Sequence, residues 1–126
     1  MKTVLVVEDE KAIREGLRRL LSREGYQVLT AENGLEALDI VGSNTIDVIL
    51  CDLKMPVMGA IEVLEKVGES RPELPVIIVT GQGTPENAME CRIKGAYDLI
   101  TKPFRISDVF SIIKCAIEKL PPPPKL

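Results

Sequence analysis

Glu8 and Asp9 follow the apolar run Thr3 to Val7, Asp52 follows Val48-Ile49-Leu50-Cys51, Thr80 closes Val76 to Val79, and Lys102 follows Tyr97 to Thr101. Carboxylates, a hydroxyl and an ammonium are groups that hold cations and anionic oxygens. Unbroken β-branched and aliphatic runs of this length suit strands buried on both faces, as in a parallel sheet covered by helices. Ligands of open parallel sheets gather outside the carboxyl ends of the strands, so residues there are placed for chemistry. Asp52 taken alone reads equally well as an acid that starts a turn. What decides is whether other segments bring partners to the same edge.

The intervening segments have to do that positioning. After Glu10, residues Ile13, Leu17, Leu20 and Leu21 recur at the spacing of a helix face, with Arg14, Glu15, Arg18 and Arg19 assigned to the wet side. Gly25 ends this helix. Tyr26 to Ala31 reads as a second strand, and Asn33-Gly34 turns into a helix carrying Leu35, Leu38 and Val41. A third helix presents Ile61, Val63, Leu64 and Val67 before Arg71-Pro72 and Leu74-Pro75 break it. Thr84-Pro85-Glu86 has the cap, first-turn Pro and acid of a helix start, and this fourth helix carries Ala88, Met89 and Ile93 as far as Gly95. Lys102-Pro103-Phe104 is a turn, and Ile106 to Leu120 keeps helical spacing through Val109, Ile112, Ile113 and Ala116.

Five strands alternating with five helices predict an α/β fold with a parallel sheet and right-handed crossovers. In a doubly wound sheet of order 2-1-3-4-5, strands one and three are neighbours, and Glu8, Asp9 and Asp52 converge. Crowded carboxylates are unfavourable unless a cation neutralises them, and oxygen-only donors favour a hard ion, above all Mg²⁺. Glu10 reads as a helix cap or a solvated acid.

Composition narrows the classes further. The 126 residues suit one domain, 1–120, followed by a Pro-rich segment, 121–126, that reads as a stiff tail or the start of a linker to an output domain. A net charge of −3 gives no general attraction to nucleic acid or to an anionic membrane, and no apolar run approaches the length of a membrane span. Glu8, Asp9 and Glu10 interrupt the first apolar stretch too early for a signal peptide, so a cytoplasmic location is expected. Three cysteines and no histidine argue against a disulfide framework, the common zinc sets and His-based catalysis. Cys51 and Cys91 read as core thiols, and Cys115 lies on a helix.

The pieces Val7-Glu8-Asp9-Glu10, Asp52-Leu53-Lys54-Met55-Pro56, Val79-Thr80-Gly81 and Lys102-Pro103-Phe104, in this order, resemble the receiver domain of two-component response regulators. The resemblance spans about residues 2 to 120 and implies a flavodoxin-like (βα)5 sandwich, the source of the strand order used above. It also implies that Asp52 is a phosphoacceptor charged by a sensor histidine kinase or phosphotransfer protein. Glu8, Asp9, Asp52 and the Lys54 backbone carbonyl would hold Mg²⁺, while Thr80 and Lys102 would bind phosphoryl oxygens. Such a chain is a signalling domain, self-phosphorylating and self-dephosphorylating with Mg²⁺, and no conventional enzyme. The residues two beyond Asp52 and Thr80, Lys54 and Gln82, would set the phosphoryl lifetime. The fourth helix, fifth strand and fifth helix would form the output and homodimer surface, with an effector of unknown kind, in keeping with a role in transcription regulation.

Charge arithmetic agrees with this. Glu8, Asp9 and Asp52 sum to −3, and Mg²⁺ with Lys102 to +3. An acyl phosphate adds about one further negative charge, which calls for new donors. Charge-assisted hydrogen bonds of roughly 1.5–3 kcal/mol from Thr80 and Lys102 approach the roughly 5.5 kcal/mol that inverts a two-state population.

Two departures from the family pattern stand out. Leu99 occupies the switch position where many receivers carry an aromatic residue, and Gly59-Ala60 replaces an acid or amide followed by Gly, so Gly59 is expected to supply the turn one position early. Among rivals, a flavodoxin would need a phosphate cradle where Glu8-Asp9-Glu10 repels one. A haloacid dehalogenase-type phosphatase needs an Asp where Lys54 stands, and dinucleotide binding needs a Gly where Glu86 stands. The alternative that stays open is a phosphorylation-independent pseudo-receiver, an interaction module, with Leu99 as its main support.

Overall fold

Alternating apolar runs become alternating strands and helices in the computed structural model, which describes residues 1–81 and 83–123. In chain order the elements are β1 (Thr3–Val7), α1 (Lys11–Arg23), β2 (Gln27–Ala31), α2 (Gly34–Ser43), β3 (Val48–Asp52), α3 (Ala60–Ser70), β4 (Val76–Thr80), α4 (Pro85–Ile93), β5 (Asp98–Thr101) and α5 (Ile106–Ile117). The five strands form one parallel sheet in the order β2-β1-β3-β4-β5, as expected. Register is what places the polar residues. Val7 pairs with Cys51 and Thr80 with Thr101, so Glu8, Asp52, Thr80 and Lys102 emerge together at the carboxyl edge.

The side-chain period of two divides each strand between two cores. Leu5, Val7, Ile49, Cys51 and Ile78 pack under α2 and α3, whereas Val4, Val6, Leu50, Ile77 and Val79 pack under α1 and α5. Each fully buried aliphatic side chain stabilises the fold by about 1.5–3 kcal/mol, an upper figure because the unfolded chain is not fully extended. Cys51 and Cys91 are core thiols as read, and burial pushes the Cys51 thiol far above its ordinary range. Gly25 and Gly95 end α1 and α4 with φ of 96° and 101°, where a glycine avoids the Cβ clash. Asn33 caps α2 by accepting the Glu36 amide, and Thr84 caps α4 by accepting that of Asn87. No helix of the described residues is long and apolar enough to cross a membrane.

Several expectations are corrected. Arg14 is buried with Leu17 and Leu21, because these three share the i, i+3, i+7 stripe that faces inward. Leu35, Met89 and Ile93 are exposed. In α4, Cys91 is the buried residue with Ala88 half-buried beside it, and helical phase puts Met89 and Ile93 roughly opposite. Tyr26 and Tyr97 precede their strands, and α5 ends at Ile117, with Lys119 at φ 60° closing the turn and Tyr97 Oη donating to the Leu120 carbonyl at 2.7 Å.

Candidate functional site

Glu8 extends β1 by one residue, its amide donating to the Ala31 carbonyl at 3.0 Å, and this carries the side chain into the sheet edge, where it is 3% exposed. Its Oε2 accepts the Glu10 amide at 3.1 Å and its Oε1 accepts from Lys102 Nζ at 3.4 Å. Asp9, next along the loop, is exposed. Asp52 closes β3, and the chain beyond it is held by the Leu53 amide donating to the Val79 carbonyl at 2.8 Å. The Lys102 amide donates to the Thr80 carbonyl at 2.7 Å, which sets the lysine beside β4. Its Nζ then reaches to 3.7 Å from Asp52 Oδ1, so one ammonium stands between two carboxylates from distant parts of the chain.

One carboxylate oxygen from each of Glu8, Asp9 and Asp52 lies within 4.8 Å of the others. Burial, followed by the charge of Asp52, pushes Glu8 above the ordinary carboxylate range despite the hydrogen bond from the Glu10 amide. Burial likewise raises Asp52, with Asp9 adding to it and Lys102 opposing. Lys102 is raised as well, because Asp52 and Glu8 outweigh the burial that disfavours its charge. Three carboxylates and one ammonium leave a formal excess of two negative charges. An all-oxygen donor set of that charge fits a hard divalent cation.

Other predicted positions fall as follows. Thr80 is buried at the end of β4. Leu99 is half-buried against the core under α2 and α3, paired with Ile78. The Lys54 side chain is exposed, and Gln82, the other lifetime position, lies outside the described residues. The turn expected of Gly59 is made elsewhere. Gly59 has φ −84° and caps α3, while the left-handed residue is Val57 at φ 71°, 77% exposed. The Met58 amide closes this turn on the Pro56 carbonyl at 2.8 Å, a strained three-residue turn for a β-branched side chain. Gly34 steadies the same loop by donating to the Met58 carbonyl at 3.1 Å, and a Cβ there would stand 2.6 Å from that oxygen.

Arg14 is the residue that sequence reasoning missed. Its Nη1 donates to the Glu8 carbonyl at 2.9 Å and to that of Asp9 at 3.4 Å, and its Nη2 to Glu32 Oε1 at 3.3 Å. The spacing of Arg14 with Leu17 and Leu21 is the signal that would have found it.

Comparisons with known proteins agree with this geometry. The model of the response regulator receiver domain matches residues 4–114. The response regulator MprA of Mycobacterium sp. (strain KMS) is 32% identical over 119 residues, covering 94% of this chain and 52% of the relative. The DNA-binding transcriptional regulator NtrC of Escherichia coli (strain K12) is 38% identical over 114 residues, covering 90% of this chain and 24% of the relative. The chain thus spans about half the length of the first of these and about a quarter of the second. A CheY-like receiver domain protein from Methanospirillum hungatei superposes with a TM-score of 0.90 at 33% identity, covering 94% of this chain and 95% of that one. TrrA from Thermotoga maritima, solved in complex with Mg²⁺ and BeF, superposes at 0.84 with 31% identity, covering 92% and 99%. With the sheet order, the clustered carboxylates and these matches together, the chain belongs to the receiver domain family of two-component response regulators.

Proposed function

We propose that Asp52 accepts a phosphoryl group from a phosphohistidine of a sensor kinase or phosphotransfer protein, and that the modified chain switches an output surface. The observation that carries this reading is the cluster of Glu8, Asp9 and Asp52 with Lys102 Nζ at 3.4 Å from Glu8 and 3.7 Å from Asp52. Glu8, Asp9, Asp52 and the Lys54 backbone carbonyl would hold Mg²⁺, which when bound supplies positive charge to the phosphoryl oxygens and removes the repulsion between two anions. An Asp52 carboxylate oxygen forms the new P–O bond as the donor's P–N bond breaks. The electron pair stays on the imidazole nitrogen, which takes a proton from solvent.

The acyl phosphate carries about one more negative charge than the carboxylate. Lys102 turns its ammonium from Asp52 onto a phosphoryl oxygen, and Thr80 donates its hydroxyl, at about 1.5–3 kcal/mol for each charge-assisted bond. With Leu99 at the switch position, the movement of Thr80 is relayed by aliphatic packing in place of an aromatic rotation. Lys54 and Gln82, two residues beyond Asp52 and Thr80 in the sequence, would set the phosphoryl lifetime. Output passes through α4, β5 and α5, where exposed Met89 and Ile93 support a partner or homodimer contact. Residues 1–120 would form the receiver, and the Pro-rich stretch 121–126, of which 124–126 lie outside the described residues, would begin a linker to an effector such as the further regions of the longer relatives. The cytoplasm, where kinases of this class present phosphohistidine, is the compartment that suits this exchange.

Incubation with Mg²⁺ and a small phosphodonor tests the proposal by mass spectrometry. The wild type gains one phosphoryl group and Asp52→Ala gains none. A wild type without an Asp52-dependent gain is instead an interaction module that works without phosphorylation.

A further inference from the structure

Arg14, in the first turn of α1, is the one buried arginine among the described residues, 8% exposed. Its single side-chain acid partner, Glu32, is 66% exposed at 3.3 Å, a poor return for a buried cation if stability were its purpose. The contacts that set it apart are to main chain. Nη1 donates to the Glu8 carbonyl at 2.9 Å and to the Asp9 carbonyl at 3.4 Å. The Glu8 backbone is therefore held at both of its polar groups, its amide by the Ala31 carbonyl at 3.0 Å and its carbonyl by Arg14.

We infer that Arg14 is a positioning residue for the cation site, clamping the backbone from which two of the three clustered carboxylates project. The inference rests on the reading that Glu8, Asp9 and Asp52 hold a divalent cation, and it assigns Arg14 no contact with that ion. Two effects of the guanidinium oppose each other. As a nearby positive charge it repels a divalent cation, so its removal by charge alone would tighten binding. As a clamp it preorganises the ligands, and loss of such outer support costs about 10-fold or more in metal affinity. The sign of the change separates the two.

The test is calorimetric titration of Mg²⁺ into the whole chain without phosphodonor, alongside thermal denaturation without Mg²⁺. Arg14→Gln is expected to raise the Mg²⁺ Kd about 10-fold. Arg14→Lys raises it less, since an ammonium reaches the Glu8 carbonyl but lacks the fork. Glu32→Gln leaves it within about twofold, because the exposed pair contributes little. A Kd for Arg14→Gln equal to or below that of the wild type overturns the inference, whatever happens to Tm. If Arg14→Gln does not fold, Arg14→Lys decides by the same sign. A wild type that takes up no Mg²⁺ overturns the cation reading itself, and this inference with it; a wild type that binds while the variants bind equally well overturns this inference alone.

Discussion

At the carboxyl ends of β1 and β3, three carboxylates gather and two of them, Glu8 and Asp52, share one ammonium, while at the amino ends of the same strands Asp47 accepts the Thr3 amide at 2.7 Å and lies 4.0 Å from Lys2 Nζ. The amino edge is tied further by Tyr97 Oη on the Leu120 carbonyl and Lys119 Nζ on the Glu73 carbonyl, both at 2.7 Å. Every one of these contacts joins a donor to an acceptor, and each stabilises the fold as it stands. The carboxyl edge differs in kind. Glu8 and Asp52 are raised above the ordinary carboxylate range by burial and by a neighbouring carboxylate, Asp52 for Glu8 and Asp9 for Asp52, so that end stores repulsion a cation or a proton would relieve. Contacts that stabilise the fold and the crowded charges on which the proposed function rests thus lie at opposite ends of one sheet.

Substitutions that exchange these characters are the sharpest way to break the contrast. Asp52→Asn is expected to abolish phosphoryl acceptance, read by mass spectrometry, and at the same time to raise Tm without divalent cation by about 3–5 °C, since it removes one of the crowded charges. A fall in Tm would mean that the carboxyl edge is stabilised as it stands. Tyr97→Phe is expected to do the reverse. Loss of the hydroxyl contact costs about 0.5–1 kcal/mol, a Tm fall of about 2–4 °C, with the Mg²⁺ Kd unchanged.

A smaller effect lies in the pH dependence. Folded-state values above the unfolded ones mean that Glu8 and Asp52 contribute stability that is fully present below the ordinary carboxylate range and is lost as pH rises through the raised values. The Tm advantage of Asp52→Asn should therefore be widest at neutral pH and shrink towards about pH 4, as denaturation scans in Mg²⁺-free buffer would reveal. An advantage that grew on acidification would contradict the raised values. Smallest of all, Lys2→Ala should change stability by less than about 0.5 kcal/mol in denaturant titration, because the pair with Asp47 is long and its lysine largely exposed.

Much of this was legible beforehand. Continuous runs such as Val48 to Cys51 specified strands buried on both faces, and Asn33, Thr84, Gly25 and Gly95 marked helix ends through local chemistry that needs no tertiary partner. The burial of Arg14 was misread because charge was allowed to outweigh its place in the Leu17 and Leu21 stripe. Met89 and Ile93 were misread for the opposite reason, since apolar character was taken for burial in a short helix whose phase points Cys91 inward. Val57 could not have been found, because a β-branched residue does not adopt a positive φ by its own preference.

By itself the sequence determined the elements, their order, and which acids, hydroxyl and ammonium stand at strand ends. These follow from side-chain periodicity and capping, which act over a few residues. Only the tertiary structure decided that Glu8, Asp9 and Asp52 approach to within 4.8 Å, that Lys102 stands between Glu8 and Asp52, and that Arg14 turns inward to the Glu8 carbonyl. Those distances depend on sheet register and on packing between segments as many as 94 residues apart, and no local preference encodes them.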